Sequence, residues 1–140
     1  MKNKDDNYYM SLALKEASKA YLEDEVPVGA VLVVGDKVIA KAHNERQKKH
    51  DVLGHAEVKV IQKASKKLNA WILDNATLYV TLEPCDMCKE IIKQSRIDNV
   101  YYLVNSNFKK VNTYNTNYKK LEIDNNFFNE IINNFFANKR

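Results

Sequence analysis

Two short runs carry most of the chemical capacity of this chain: His55-Ala56-Glu57 and Pro84-Cys85-Asp86-Met87-Cys88. Together they offer one imidazole, two thiols and one carboxylate. An imidazole and two thiolates match the three protein ligands of a catalytic zinc site, which keeps its fourth position for water. Glu57 is then left over to move protons. Bound zinc can bring the pKa of water from about 15.7 to about 7, and two thiolates, by donating charge, leave that water somewhat less acidic than three imidazoles would. Glu57 stands two residues beyond His55, so its side chain leaves the first turn in a different direction and reaches the water without being a ligand. It can accept the proton and return protons to a ring nitrogen and a departing amine, a general acid–base role worth about 10²–10⁴ in rate.

Each residue also has a plainer reading. A lone histidine is usually ordinary, a lone C-x-x-C is often a structural knuckle or a redox pair, and a glutamate in a first helical turn often serves only the dipole. A structural knuckle, however, needs four protein ligands, and neither His43 nor His50 has a spacing that completes one. The joint pattern therefore favours a catalytic zinc.

The elements that must hold these residues can be read from periodicity. Met10, Leu12, Leu14, Ala17 and Tyr21 recur at helical intervals and predict an amphipathic helix over Tyr8–Leu22 that covers one sheet face. Val26–Val34 is nearly all apolar, Gly35-Asp36 reads as a turn and Lys37–Ala42 as the partner strand of a hairpin. Ala76–Leu82 and Asn99–Val104 are β-rich and flank a helical stretch, the pattern of a right-handed βαβ crossover. Further helices are expected from near His55 to Leu68 and from Asn125 to Asn138, with an edge strand over Lys119–Ile123. The polar run Asn105–Tyr118 has neither period and reads as an exposed loop.

The metal ligands fall at the starts of two of these helices. Free N–H groups and the macrodipole there favour thiolates, and a separation of three residues puts Cys85 and Cys88 on one side of the same turn. Pro84 is tolerated at such a start.

At 140 residues, 45% of them hydrophobic, the chain fits a single domain, 1–140, with no need of a disulfide. The two cysteines therefore point to metal or redox use. No run approaches the roughly 18 apolar residues of a membrane span, and Met1–Asp6 leads into no apolar signal core, so a cytoplasmic protein is expected. The net charge of +4 is compatible with a polyanionic partner and decides nothing alone.

With these residues in place, the chain resembles the zinc-dependent deaminase superfamily with its H-x-E and P-C-x-x-C signature, and within it the bacterial tRNA-specific adenosine deaminases. The resemblance runs from about Tyr9 to Tyr101, through Glu25-Val26-Pro27-Val28-Gly29-Ala30, Asn44, His50-Asp51, His55-Ala56-Glu57, Thr77–Cys88 and Ser95-Arg96-Ile97. It implies an α/β fold, a three-layer α/β/α cytidine-deaminase-like domain with a five-stranded mixed sheet, usually a homodimer. It also implies hydrolytic deamination of adenosine to inosine at the wobble position of a tRNA anticodon, most often in arginine tRNA. By position it makes His55, Cys85 and Cys88 the ligands of one Zn2+ per chain and Glu57 the proton shuttle. Asn44 would hydrogen-bond the flipped base, Val28 and Ala30 would line its pocket, and the Ala56 amide would lie near the water.

An unpaired anticodon nucleotide can be extruded more cheaply than a base in a duplex. Lys48, Lys49, His50 and Asp51, together with Phe135, Phe136, Lys139 and Arg140, are candidates for RNA contact. The chain departs from the family at Asn105-Ser106-Asn107-Phe108-Lys109-Lys110, where an Arg-Asp-x-Lys-Thr-Gly type loop is usual. It also departs at Gly54, where alanine is commoner and glycine is expected to loosen the helix start. The competing readings are a deaminase of a free nucleobase, nucleoside or nucleotide, and a non-catalytic zinc-bearing RNA-binding subunit.

Overall fold

A computed structural model describes residues 5–106, 116–123 and 125–138. In chain order the elements are α1 (Asp6–Leu22), β1 (Gly29–Val34), β2 (Lys37–His43), α2 (Arg46–Lys49), α3 (Ala56–Leu68), β3 (Ala76–Leu82), α4 (Asp86–Ser95), β4 (Asn99–Val104), β5 (Asn117–Lys120) and α5 (Asn126–Asn138). The strands form one mixed sheet in the order β2-β1-β3-β4-β5. β1 runs antiparallel to both β2 and β3, whereas β3, β4 and β5 are parallel. The expected hairpin and parallel crossover are both present.

The sheet is covered on both faces, which is why β1 reads as an unbroken apolar run instead of an alternating one. Ala30, Leu32, Leu78, Val80 and Val100 pack with Val60, Ala64 and Ile92 of α3 and α4. Their neighbours Val31, Val33, Tyr79 and Leu103 face Tyr9, Met10 and Ala13 of α1 instead. Phe128, Ile131 and Ile132 bring α5 against Ala17 on the same side. The result is helix, sheet, helix in three layers, with the C-terminal ends of β1's antiparallel neighbours and of the parallel strands free to carry loops.

The buried stripe of α1 is smaller than the sequence pattern implied. Ala13, Ala17 and Ala20 are fully buried, while Leu12, Leu14 and Tyr21 are only partly so. The reason is close approach: a Cβ on Gly29 would fall against the Ala13 carbonyl and the Ala17 amide, so the first strand can lie on the helix only with glycine there and alanines opposite.

Several boundaries differ from the sequence reading. β1 begins at Gly29, not Val26, because Pro27 has no N–H and the Val28 amide bonds Val26 O at 2.7 Å, turning the chain before the ladder starts. The edge strand is Asn117–Lys120, two residues earlier than the expected Lys119–Ile123, and it takes Asn117 and Tyr118 out of the supposed loop. The rest of that loop from 107 to 115 lies outside the described residues. The short helix α2 has no counterpart in the sequence reading.

Gly54 also behaves differently from expectation. A Cβ there would meet Glu45 C and Arg46 N at 2.9 Å, and Gly54 O accepts from the Glu45 amide at 2.7 Å. The glycine therefore lets the residues before α3 close tightly on the start of α2, and does not loosen the helix start. No helix among the described residues is long and apolar enough to cross a membrane.

Candidate active site

His55 is the N-cap of α3 and Cys85 the N-cap of α4, both in extended backbone, and Cys88 lies in the first turn of α4. The βαβ unit delivers α4 to the C-terminal end of β3, and α3 packs beside it on the same face of the sheet. Two helix starts from distant parts of the chain thereby meet. His55 Nδ1 lies 3.8 Å from Cys85 Sγ and 3.5 Å from Cys88 Sγ. All three donor atoms lie within 4.8 Å of one another, the only such group among the described residues. Zinc bonds of about 2.3 Å to sulfur and about 2.0–2.1 Å to nitrogen, arranged tetrahedrally, place sulfur and nitrogen about 3.6 Å apart. These residues therefore fit a zinc ion without rearrangement.

The electrostatics suit a cation. Cys85 is lowered to about 3, first by its hydrogen bond from Cys88 and then by His55. His55 is raised in turn by its bond to Cys85. Cys88 is raised, because it donates to the Cys85 thiolate and is buried. For Cys85 the helix start adds only the Cys88 backbone amide to these side-chain contacts. A metal held here would take Cys88 as a thiolate, as ligand thiols do.

Glu57 is 4% exposed, and burial pushes it up to about 7. A carboxyl poised near neutrality can both take and give a proton, which is the tuning a general acid–base needs. It borders a cavity of about 170 Å³ whose polar wall is Asn44, Arg46, His55, Glu57, Glu83 and Cys85. Val26, Val28, Leu82 and Phe136 supply the apolar wall. Asn44 is 4% exposed and is pinned through its amide to Val28 O.

Ala30 and Ala56 are fully buried and are not among the lining residues. Ala30 stands between Ala42 and Val80 in the sheet, one layer beneath the cavity. Lys48, Lys49, His50 and Asp51 are exposed, on and just after α2; none lines the cavity, and of the four only Lys48 lines the hollow that adjoins it. Phe136 is half-exposed and reaches the cavity, whereas Phe135 is buried and meets it edge-on. Lys139 and Arg140 lie outside the described residues.

Arg46 and Glu83 are wall residues that sequence reasoning passed over. Glu83 stood inside the matched motif and Arg46 two residues after Asn44, so proximity to recognised positions was the available signal. Glu25, 1% exposed, was noted only as part of a motif. Its carboxylate accepts from the amides of Gln47 at 3.1 Å and Lys48 at 2.7 Å, capping α2, whose own N-cap residue Glu45 gives no side-chain bond. His43, which could not be placed in a metal site, is held instead by Glu16 at 2.9 Å and Glu23 at 3.2 Å.

A buried carboxyl beside a one-histidine, two-cysteine cluster, on the mixed sheet of this topology, marks a deaminase of the cytidine-deaminase-like fold. The likeness to solved structures agrees: a tRNA:A34 deaminase studied for A-to-I editing at the wobble position superposes with a TM-score of 0.77 at 36% identity, over 82% of this chain and 98% of that one. More narrowly, the chain belongs to the MafB19-like deaminase family, which it matches over residues 4–140. It is similar to the tRNA-specific adenosine deaminase of Bacillus subtilis, 50% identical over 69% of this chain and 60% of that protein. It is also similar to that of Buchnera aphidicola subsp. Schizaphis graminum, 37% identical over 100% of this chain and 99% of the relative. The second likeness extends past the Tyr9–Tyr101 span recognised in the sequence. The chain spans about 60% of the length of the Bacillus relative.

Proposed function

We propose that residues 1–140 act as a single zinc-dependent deaminase domain that hydrolyses adenosine to inosine at the wobble position of a tRNA anticodon. The observation that carries this reading is a proton-tuned Glu57 and a metal-competent His55–Cys85–Cys88 cluster facing one base-sized cavity. The likeness to tRNA-specific adenosine deaminases over the full chain supports the substrate.

His55, Cys85 and Cys88 would hold one zinc per chain, which supplies Lewis acidity that makes a water a nucleophile near neutral pH. Glu57 takes the proton of the attacking water and hands protons to the purine ring nitrogen and to the leaving ammonia. Asn44 hydrogen-bonds the edge of the extruded base, and Val28 and Leu82 hold its faces in a dry pocket. Ala30 supports that wall from below, and the Ala56 amide begins α3 beside the water.

A hollow of about 690 Å³ shares Val26, Asn44, Arg46 and Phe136 with the cavity. It gives the flanking nucleotides a path past Lys48, Lys49, His50 and Asp51, with Phe136 offering a stacking face. Phe135 supports that ring, and Lys139 and Arg140 follow it in sequence. The assembly is a homodimer in the cytoplasm, with the anticodon stem-loop of arginine tRNA as its partner.

The experiment is incubation of the zinc-loaded protein with an arginine-tRNA anticodon stem-loop and, separately, with free adenosine, cytidine and guanine, followed by mass spectrometry. Inosine is expected in the stem-loop alone. Turnover of free bases or nucleosides with an untouched stem-loop overturns the tRNA substrate, and no turnover of any of them by zinc-loaded protein overturns the enzyme.

A further inference from the structure

The segment that bears both thiolates is closed across its ends. Glu83 immediately precedes Pro84-Cys85 and Lys89 immediately follows Cys88, and their side chains meet with Lys89 Nζ 3.1 Å from Glu83 Oε2. Lys89 is 5% exposed, and lysine is almost never so buried unless paired. Its ammonium also lies over the Tyr118 ring of β5, 5.5 Å from the centroid. Glu83 is tied in a third direction. Its Oε1 accepts from the Ser106 amide at 3.1 Å and from the Ser106 hydroxyl at 3.5 Å, and its own amide donates to Val104 O at 2.8 Å. One carboxylate thus joins the start of the ligand segment, the first turn of α4 and the end of β4.

With the Lys89 side chain 5% and the Glu83 side chain 17% exposed, such a largely buried pair is a poor stabilising device, since apolar residues of similar volume often do as well or better. A lysine on the outer side of α4, where Glu90 and Lys93 pair, would serve solubility at no such cost. What the buried pair does achieve is geometric. With residues 83 and 89 tied to each other and to β4, the path between Cys85 and Cys88 is held from both ends, with both sulfurs at ligand spacing from His55 Nδ1.

We infer that Lys89 is a positioning residue of the metal centre: paired with Glu83 it forms a strut that presets the two sulfurs, and metal affinity depends on it. The inference rests on the metal assignment proposed above, and it is tested without substrate. Zinc affinity of the full chain is measured by competition with a chromophoric chelator, and the cobalt(II)-loaded protein is read by its thiolate charge-transfer and ligand-field bands. Lys89→Met is expected to bind zinc ten- to hundredfold more weakly, the usual effect of removing an outer support of a metal ligand, with altered cobalt bands.

The double variant Glu83→Gln/Lys89→Met carries no stray carboxylate but still lacks the strut, so its zinc affinity should stay at least about tenfold below wild type. It also carries the measurement if Lys89→Met alone fails to fold. Wild-type affinity and cobalt spectrum in folded Lys89→Met overturn the inference. So does full recovery in the double variant, which would assign the loss to the unpaired charge of Glu83. A wild-type protein that binds no zinc removes the metal assignment itself, whereas tight binding in both wild type and Lys89→Met sinks the strut alone.

Discussion

In the proposed function Glu57 and Cys88 sit within one cluster yet have separable tasks. Glu57→Ala removes the proton carrier and leaves the three ligands untouched, so one zinc per chain should remain while deamination falls by about 10²–10⁴. Cys88→Ser exchanges a soft ligand for a poor one and should abolish stoichiometric zinc. Metal analysis beside inosine formation distinguishes them, and unchanged turnover in the glutamate variant would refute its assigned role. At this scale the sequence was most informative, because ligand type and spacing are local properties: His55, Cys85, Cys88 and Glu57 could be picked out before any fold was known. Arg46 and Lys89 could not. Arg46 matters because it shares the cavity wall with Phe136, and Lys89 because it meets Glu83 and Tyr118; only packing brings Phe136 to Arg46 and Tyr118 to Lys89.

Among the elements, α2 contributes most to the site for its size. Four residues make too short a helix to show apolar periodicity, and all four are charged or amide side chains, so nothing in the sequence announced it. Its anchor is Glu25, buried at the other end of the α1–β1 connection. Glu25→Ala leaves the Gln47 and Lys48 amides without their acceptor and should cost about 1–3 kcal/mol in stability. Because Asn44, Arg46 and Lys48 border the same hollow, KM for the stem-loop should rise while zinc content stays at one per chain. An unaltered denaturation midpoint would remove the anchoring role. The larger elements were legible because their signals repeat: the apolar run of β1, the βαβ spacing and the phenylalanine pattern of α5. Errors arose where one residue overrode the pattern, as Pro27 did at the start of β1.

For the whole molecule, acid stability should run through the link between α1 and β2. Burial alone would raise the Glu16 carboxyl, but its hydrogen bonds from His43 and Lys19 outweigh that and hold it below its ordinary value of 4.5. A depressed carboxyl contributes stability that is present above the unfolded-state pKa and lost as pH falls through the folded one. Thermal melts of wild type and Glu16→Gln should therefore differ above pH 4.5 and converge as the pH drops below it. A gap independent of pH would show that the contact acts by packing alone. The three-layer architecture was readable from the resemblance, while the Glu16–His43 link was not, since it joins residues whose neighbourhood only the closed sheet creates. His55 and Cys85 occupy the positions where a serine or aspartate would ordinarily bond the first free amides of a helix, and neither supplies a side-chain bond of that kind. Both helix beginnings thus lack the usual capping side chain, although Ala56, Glu57 and Cys88 are buried, and a bound cation would tie the two capping residues to each other. Deuterium uptake by peptides spanning 55–60 and 85–90 should slow on zinc loading, with peptides from α1 unaffected. Equal uptake in both forms would mean that the helix beginnings are already locked without the ion.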